Sequence, residues 1–147
     1  MGKAICISGS KGGIGKTTTA INLALSLTNK GKSVILVDAN FTSPNVGIYL
    51  GHPVTPKSIH EVLSNKIDIE EAMYIHRSGL KLIPGNISLN SLAEVNPSKL
   101  KNKISSLKKD YDFVIIDSAA GLGKESLSAL ESCDEALIVL NPELPSV

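Results

Sequence analysis

The residues with the clearest chemistry run from Ser8 to Thr18 and read Ser-Gly-Ser-Lys-Gly-Gly-Ile-Gly-Lys-Thr-Thr. Glycines at this density let successive backbone N–H groups converge on one anion, and a helix N-terminus behind them favours negative charge. The N–H groups from Gly12, Gly13, Ile14 and Gly15 through Thr18 form such a cradle. Lys16 then supplies a point charge for β- and γ-phosphates, and the Thr17 hydroxyl is placed to ligate Mg²⁺. The strict phosphate-loop pattern asks for glycine at position 10, where this chain has Ser10. A chance glycine-rich turn is the bland alternative. The flanking pattern decides against it, because the segment follows apolar Ala4-Ile5-Cys6-Ile7 and precedes a helical pattern with Ile21, Leu23, Ala24, Leu25 and Leu27. Strand, glycine loop, helix is the order a nucleotide site needs.

The elements that must position this loop alternate along the chain. A first helix is expected from Lys16 to about Asn29, with Gly31 as its stop. Ser33 to Val37 reads as a strand buried on both faces and ending at Asp38. A polar loop, Asp38 to Gly51, leads into a short helix. Pro56 to Asn65 reads as another, and Asp68 caps a third over Ile69 to Met73. Leu80 to Ile83 is a short strand between Gly79 and Pro84-Gly85. Asn96-Pro97 starts a helix whose apolar face is Leu100, Ile104 and Leu107. Asp112 to Ile116 is a further buried strand, ending at Asp117. Lys124 to Ser132 is a helix, and Glu135 to Leu140 the last strand. Alternation of this kind means an α/β fold, a mostly parallel sheet flanked by helices, and with the phosphate loop after the first strand the expected form is the three-layer P-loop NTPase sandwich.

Ligands of such sheets sit at the carboxyl ends of the strands. Three strands end in useful chemistry there: the phosphate loop, Asp38 and Asp117. An apolar run closing on Asp fits a carboxylate that holds the Mg²⁺ shell, often through water. Val114-Ile115-Ile116-Asp117 is the stronger case, although a strand-end Asp can also simply cap the next helix. Gly121 follows it and can swing its N–H onto a γ-phosphate.

The form Lys-Gly-Gly-x-Gly-Lys-Thr-Thr at Lys11 to Thr18 is a deviant Walker A motif, and it resembles the MinD/ParA family of dimerising ATPases, with MinD its nearest branch. Asp117-Ser118-Ala119-Ala120-Gly121 is similar to the family's Asp-Ser-Pro-Ala-Gly switch II, with Ala119 in place of the more rigid proline. Asp134 to Glu143 also resembles MinD. The resemblance implies an ATP-dependent switch with Mg²⁺ as cofactor, a homodimer formed around ATP, and a regulatory or cargo protein as partner. It implies that Lys11 reaches the partner subunit's phosphates, that Asp38 lies near Mg²⁺ and that Asn45 approaches the γ-phosphate. Lys11, Lys16, Asp38 and Asn40 are then the candidates for catalysis, and Thr17, Asp38 and Asp117 for the metal. Many members carry Asp at position 40. Asn can hold a water but cannot take its proton at neutral pH, so slow hydrolysis is expected. Septum-site or other spatial positioning is the implied role. A ParA-like partitioning ATPase and a binding module with little turnover are the rivals. Family members continue past residue 147, so one P-loop domain over 1–147, without the C-terminal part of the family domain, is expected.

Composition bounds the rest. The chain has 147 residues, net charge +1 and 42% apolar residues, which suits one globular domain. That charge gives no strong nucleic-acid signal, and the lysines at 99, 101, 103, 108 and 109 read as a solvated helix face without interleaved aromatics. Cys6 and Cys133 read as buried free thiols in a reducing, cytoplasmic setting. No membrane-targeting amphipathic helix is evident. His52, His60 and His76 show no metal-ligand spacing and are expected on the surface or in loops.

Overall fold

The structure, a computed structural model, describes residues 1–52, 55–88 and 95–142. Glu143, the last residue of the stretch compared with MinD, lies outside them. The strands are β1 (Lys3–Ser8), β2 (Val34–Ala39), β3 (Tyr74–Ile75), β4 (Lys81–Ile83), β5 (Phe113–Ser118) and β6 (Glu135–Ile138). The helices are α1 (Lys16–Asn29), α2 (Val46–Tyr49), α3 (Ile59–Leu63), α4 (Leu100–Leu107) and α5 (Lys124–Ser132), with short 3₁₀ turns at Ile69–Ala72 and Pro97–Lys99. The sheet order is β3-β4-β2-β5-β1-β6. Every pairing is parallel except β3 with β4. Sequence reading missed β3, whose two residues are too short for any period to show.

Side chains alternate across a strand, so each inner strand feeds two cores. Cys6, Ile35, Val37, Val114 and Ile116 pack with Leu100, Ile104, Leu107 and Ala129 of α4 and α5. Ile7, Leu36, Leu82 and Ile115 face the other way and pack with Ala20, Ile21 and Ala24 of α1. Both faces are covered, which is why these strands read as unbroken apolar runs. Each fully buried Leu or Ile contributes about 1.5–3 kcal/mol, enough for two such layers to fix the register of β1, β2 and β5.

The register is what builds the site. Ile7 pairs with Asp117 across β1 and β5, and Asp38 pairs with Asp117 across β2 and β5. The phosphate loop and both aspartates therefore leave the sheet at one end. Both aspartates lie inside their strands, where sequence reading placed them just after.

His60 is on α3 and fully buried, not on the surface. Its Nδ1 accepts the Asn86 N–H at 3.0 Å, and its Nε2 lies 2.8 Å from the Phe41 carbonyl oxygen. Cys6 and Cys133 are free, and burial pushes the Cys6 thiol up to about 12. Lys108, one of the helix lysines, pairs with Asp134 at 2.7 Å. Among the described residues no helix is long and apolar enough to cross a membrane.

Candidate nucleotide site

The loop between β1 and α1 is shaped by glycines in two ways. Gly13 and Gly15 hold φ of 72° and 101°, a left-handed conformation that side chains disfavour. Gly9 is needed for space: a Cβ there would lie 2.6 Å from the Val139 carbonyl oxygen and 2.7 Å from Ile14 Cδ1. The strict motif has no glycine at that position, so sequence reading passed over it. Gly15 begins α1 without any side-chain cap. The first N–H groups of this 14-residue helix thus remain for an anion.

Lys16 is buried, and its Nζ donates to the Lys11 carbonyl oxygen at 2.6 Å. Burial lowers its pKa, and the Asp117 charge opposes that shift. The Thr17 hydroxyl donates to Asp117 Oδ2 at 2.7 Å. Asp117 Oδ1 is buried and, among the described residues, has no hydrogen-bond partner. Such an orphan costs free energy unless something else fills its coordination. Burial raises the Asp117 carboxyl to about 6, against the pull of Thr17 and Lys16.

Asp38 is fully buried beside it. Burial first, then the Asp117 charge, raises its carboxyl to about 8, despite three N–H groups that favour the ionised form. Those donors are Asn40 at 3.1 Å, Asn45 at 2.9 Å and Val46 at 3.0 Å. Two carboxyls held above the ordinary range, one with a vacant oxygen, form a place prepared for a cation. Among the described residues there is no group of three or more His, Cys, Asp or Glu around one point. This donor set does not make a closed protein cage. It suits Mg²⁺, which keeps its waters and takes one or two carboxylates together with phosphate.

In front lies a cavity of about 240 Å³ lined by Gly12, Gly13, Gly15, Lys16, Thr17, Thr18, Asn40 and Asn45, with Tyr49, Ser118 and Ala120. Most of the predicted residues are thus brought together. Asp38 and Asp117 sit behind this wall, each at most 1% exposed. Lys11 and Ile14 belong to the loop but not to the wall, and Lys11 is half-buried. Gly121 turns its N–H to the Gly9 carbonyl oxygen at 3.4 Å, and its φ of 79° is left-handed. Asn40 lines this cavity and a second one of about 560 Å³ beside it.

Glu125, in the first turn of α5, also lines the second cavity. Sequence reading missed it. The only local signal was an acidic residue in a first turn, where the helix dipole favours it.

The AAA domain family matches residues 2–147. The septum site-determining protein MinD of Pyrococcus horikoshii, solved as a complex with Mg-ADP, superposes with a TM-score of 0.95 at 36% identity over 99% of this chain. The chain belongs to the MinD/ParA family. An ATP-binding protein of Methanocaldococcus jannaschii is 37% identical over the whole chain, and the MinD of Bacillus subtilis is 32% identical, also over the whole chain. This chain spans 56% of each of those two relatives and 60% of the solved Pyrococcus chain.

Proposed function

We propose that this MinD/ParA family member is the nucleotide-binding part of an ATP-hydrolysing switch that dimerises around Mg-ATP and positions a protein partner, as in septum-site placement. The observation that carries the reading is the buried, unpartnered Asp117 Oδ1 beside the Thr17 hydroxyl, under a glycine cradle closed by Lys16. Thr17 and Asp117 would hold Mg²⁺, with Asp38 behind them. The cation supplies charge neutralisation at the β- and γ-phosphates. Lys16 and the N–H groups of Gly12 to Thr18 bind and orient those phosphates. Asn40 and Asn45 face the same cavity from the opposite loop, where a water and the γ-phosphate would lie. Gly121 would release Gly9 and turn its N–H to the γ-phosphate, so the loop after β5 reports whether that group is present.

Lys11 is assigned to the partner subunit's phosphates. An ammonium supplied there stabilises charge developing during phosphoryl transfer, as an arginine finger does. Sedimentation of wild type and Lys11→Ala with Mg and a slowly hydrolysed ATP analogue tests this. The variant is expected to stay monomeric where wild type dimerises, and dimerisation that survives the substitution would sink the trans role.

A second reading, a nucleotide-binding module with little turnover, is favoured by one residue. Asn40 stands at the cavity where a carboxylate would accept a proton, and an amide cannot. Phosphate release at high protein concentration separates the two readings.

A further inference from the structure

Both loops that face the nucleotide cavity are tied to the first turn of α5, one of them through a carboxylate that neither the phosphate loop nor the metal chemistry uses. Glu125 Oε2 accepts the Phe41 N–H at 2.9 Å and the Thr42 N–H at 3.3 Å. Its Oε1 accepts the Thr42 hydroxyl. The neighbouring Ser126 hydroxyl reaches the Ala119 and Ala120 carbonyl oxygens at 3.0 and 3.3 Å, so the loop after β5 is fastened to the same helical turn. From the other side, His60 holds the Phe41 carbonyl oxygen, and the two rings meet edge-on with centroids 5.9 Å apart. The Phe41 side chain is 1% exposed. The peptide after Asn40 is therefore clamped between α3 and α5.

We propose that Glu125 is a positioning residue for this site: it sets where loop 40–46 stands, and with it Asn40 and Asn45, and it makes that loop move together with α5. The inference rests on the reading of the cavity as an ATP site for its kinetic consequence, but not for its structural one. Asn40 and Asn45 are held within their own loop by N–H bonds to Asp38. Those bonds fix the loop's shape around Asp38. Glu125 attaches the exposed stretch at Thr42 to the helix across the second cavity. A carboxylate is required because three donors converge on it, and only an acceptor with two oxygens serves them all.

Two measurements test this. The first needs no nucleotide: amide hydrogen exchange of wild type, Glu125→Ala and Glu125→Gln. If Glu125 sets the loop, exchange rises at residues 45 and 46, whose N–H groups bond Asp38 and not Glu125, as well as at 41 and 42. A rise confined to 41 and 42 shows only the loss of two hydrogen bonds and overturns the proposal. The second is kinetic. Misplacing Asn40 and Asn45 lowers kcat by about tenfold or more. The affinity for Mg-ADP, held by the phosphate loop, changes by no more than about threefold, because that loop touches none of these bonds. Thr42→Val added to Glu125→Ala costs little more, since both remove the same linkage. Equal losses in kcat and in Mg-ADP affinity would mark a general structural role and also overturn it. A protein that fails to bind nucleotide at all would refute the proposed function, while the exchange result would still decide the role of Glu125.

Discussion

At the scale of single residues, position 40 separates binding from turnover. Asn40 Oδ1 accepts the Ser43 N–H at 3.2 Å, and its own N–H goes to Asp38. A carboxylate can keep both arrangements, so Asn40→Asp is expected to leave the loop in place. It adds a proton acceptor at the cavity, and positioned general bases contribute about 10²-fold or more. Turnover should rise by at least roughly tenfold, and an unchanged rate in a phosphate-release assay would show that this residue does not limit hydrolysis. His60 makes a different prediction. Its Nδ1 accepts from Asn86, so the proton must sit on Nε2 and the ring must be neutral. Burial lowers its pKa, outweighing the raising effects of the Phe41 carbonyl and of Glu61 and Glu125. A folded-state pKa below the unfolded value gives stability that is complete above the unfolded pKa of about 6.5 and is lost as pH falls below it. The slope from one such group is at most about 1.4 kcal/mol per pH unit. His60→Gln can keep one donor and one acceptor without titrating, so its melting temperature should fall less than wild type between pH 7 and pH 5. Parallel acid slopes for the two proteins would remove His60 as the cause. The sequence showed Asn40 because its neighbours form a recognisable run. It hid His60, because nothing within a few residues signals that Phe41 and Asn86 close around the ring.

At the scale of elements, the glycine loop has two kinds of glycine, and only one kind was legible. The motif displays Gly12, Gly13 and Gly15 by their spacing to Lys16. Gly9 is fixed by contact with Val139, just after β6, and with Ile14, which no motif rule displays. The two kinds should respond in opposite ways. Gly9→Ala forces a methyl against a backbone carbonyl that cannot rotate away, a clash that typically costs about 1–3 kcal/mol. Gly12→Ala meets nothing within 4 Å. Its stability should change by less than about 0.5 kcal/mol, while Mg-ADP affinity falls because phosphate must approach this backbone closely. Denaturation and nucleotide titration on both variants check the split, and a Gly12→Ala protein with full affinity would move the phosphates away from that residue. Apart from β3, and the Ile69–Ala72 segment that forms a 3₁₀ turn, the helices and strands themselves were readable from periodicity to within a few residues. Their ends were not, since the last turns of β2 and β5 carry polar residues that a hydrophobic pattern assigns to loops. The link from α5 to loop 40–42 was invisible for a related reason: Glu125 and Phe41 lie 84 residues apart in sequence, and only the parallel sheet brings them together.

At the scale of the whole molecule, the sheet is covered on both faces but, among the described residues, not along its β6 side. β6 is the outermost strand after β1, and its residues are exposed throughout. Leu137, Ile138 and Leu140 are 39%, 54% and 50% exposed. Leu137 also lines a groove of about 390 Å³ against Leu23 and Asn22 of α1. An edge strand with unpaired backbone groups and apolar side chains is a template for another chain. Among the described residues, two surfaces are therefore candidates for association. One serves the proposed ATP-dependent closure over the cavity, which requires Lys11. The other serves pairing along β6, which requires neither nucleotide nor lysine and strengthens with concentration. Only the first involves Lys11, so substitutions should separate them. Ile138→Lys places a charge on the edge and is expected to abolish association in nucleotide-free protein while leaving the ATP-induced dimer intact. Lys11→Ala is expected to do the reverse. Sedimentation of both variants across a concentration series, with and without Mg and the ATP analogue, reads the four combinations, and a single substitution that removed both kinds of association would show that one surface serves for both.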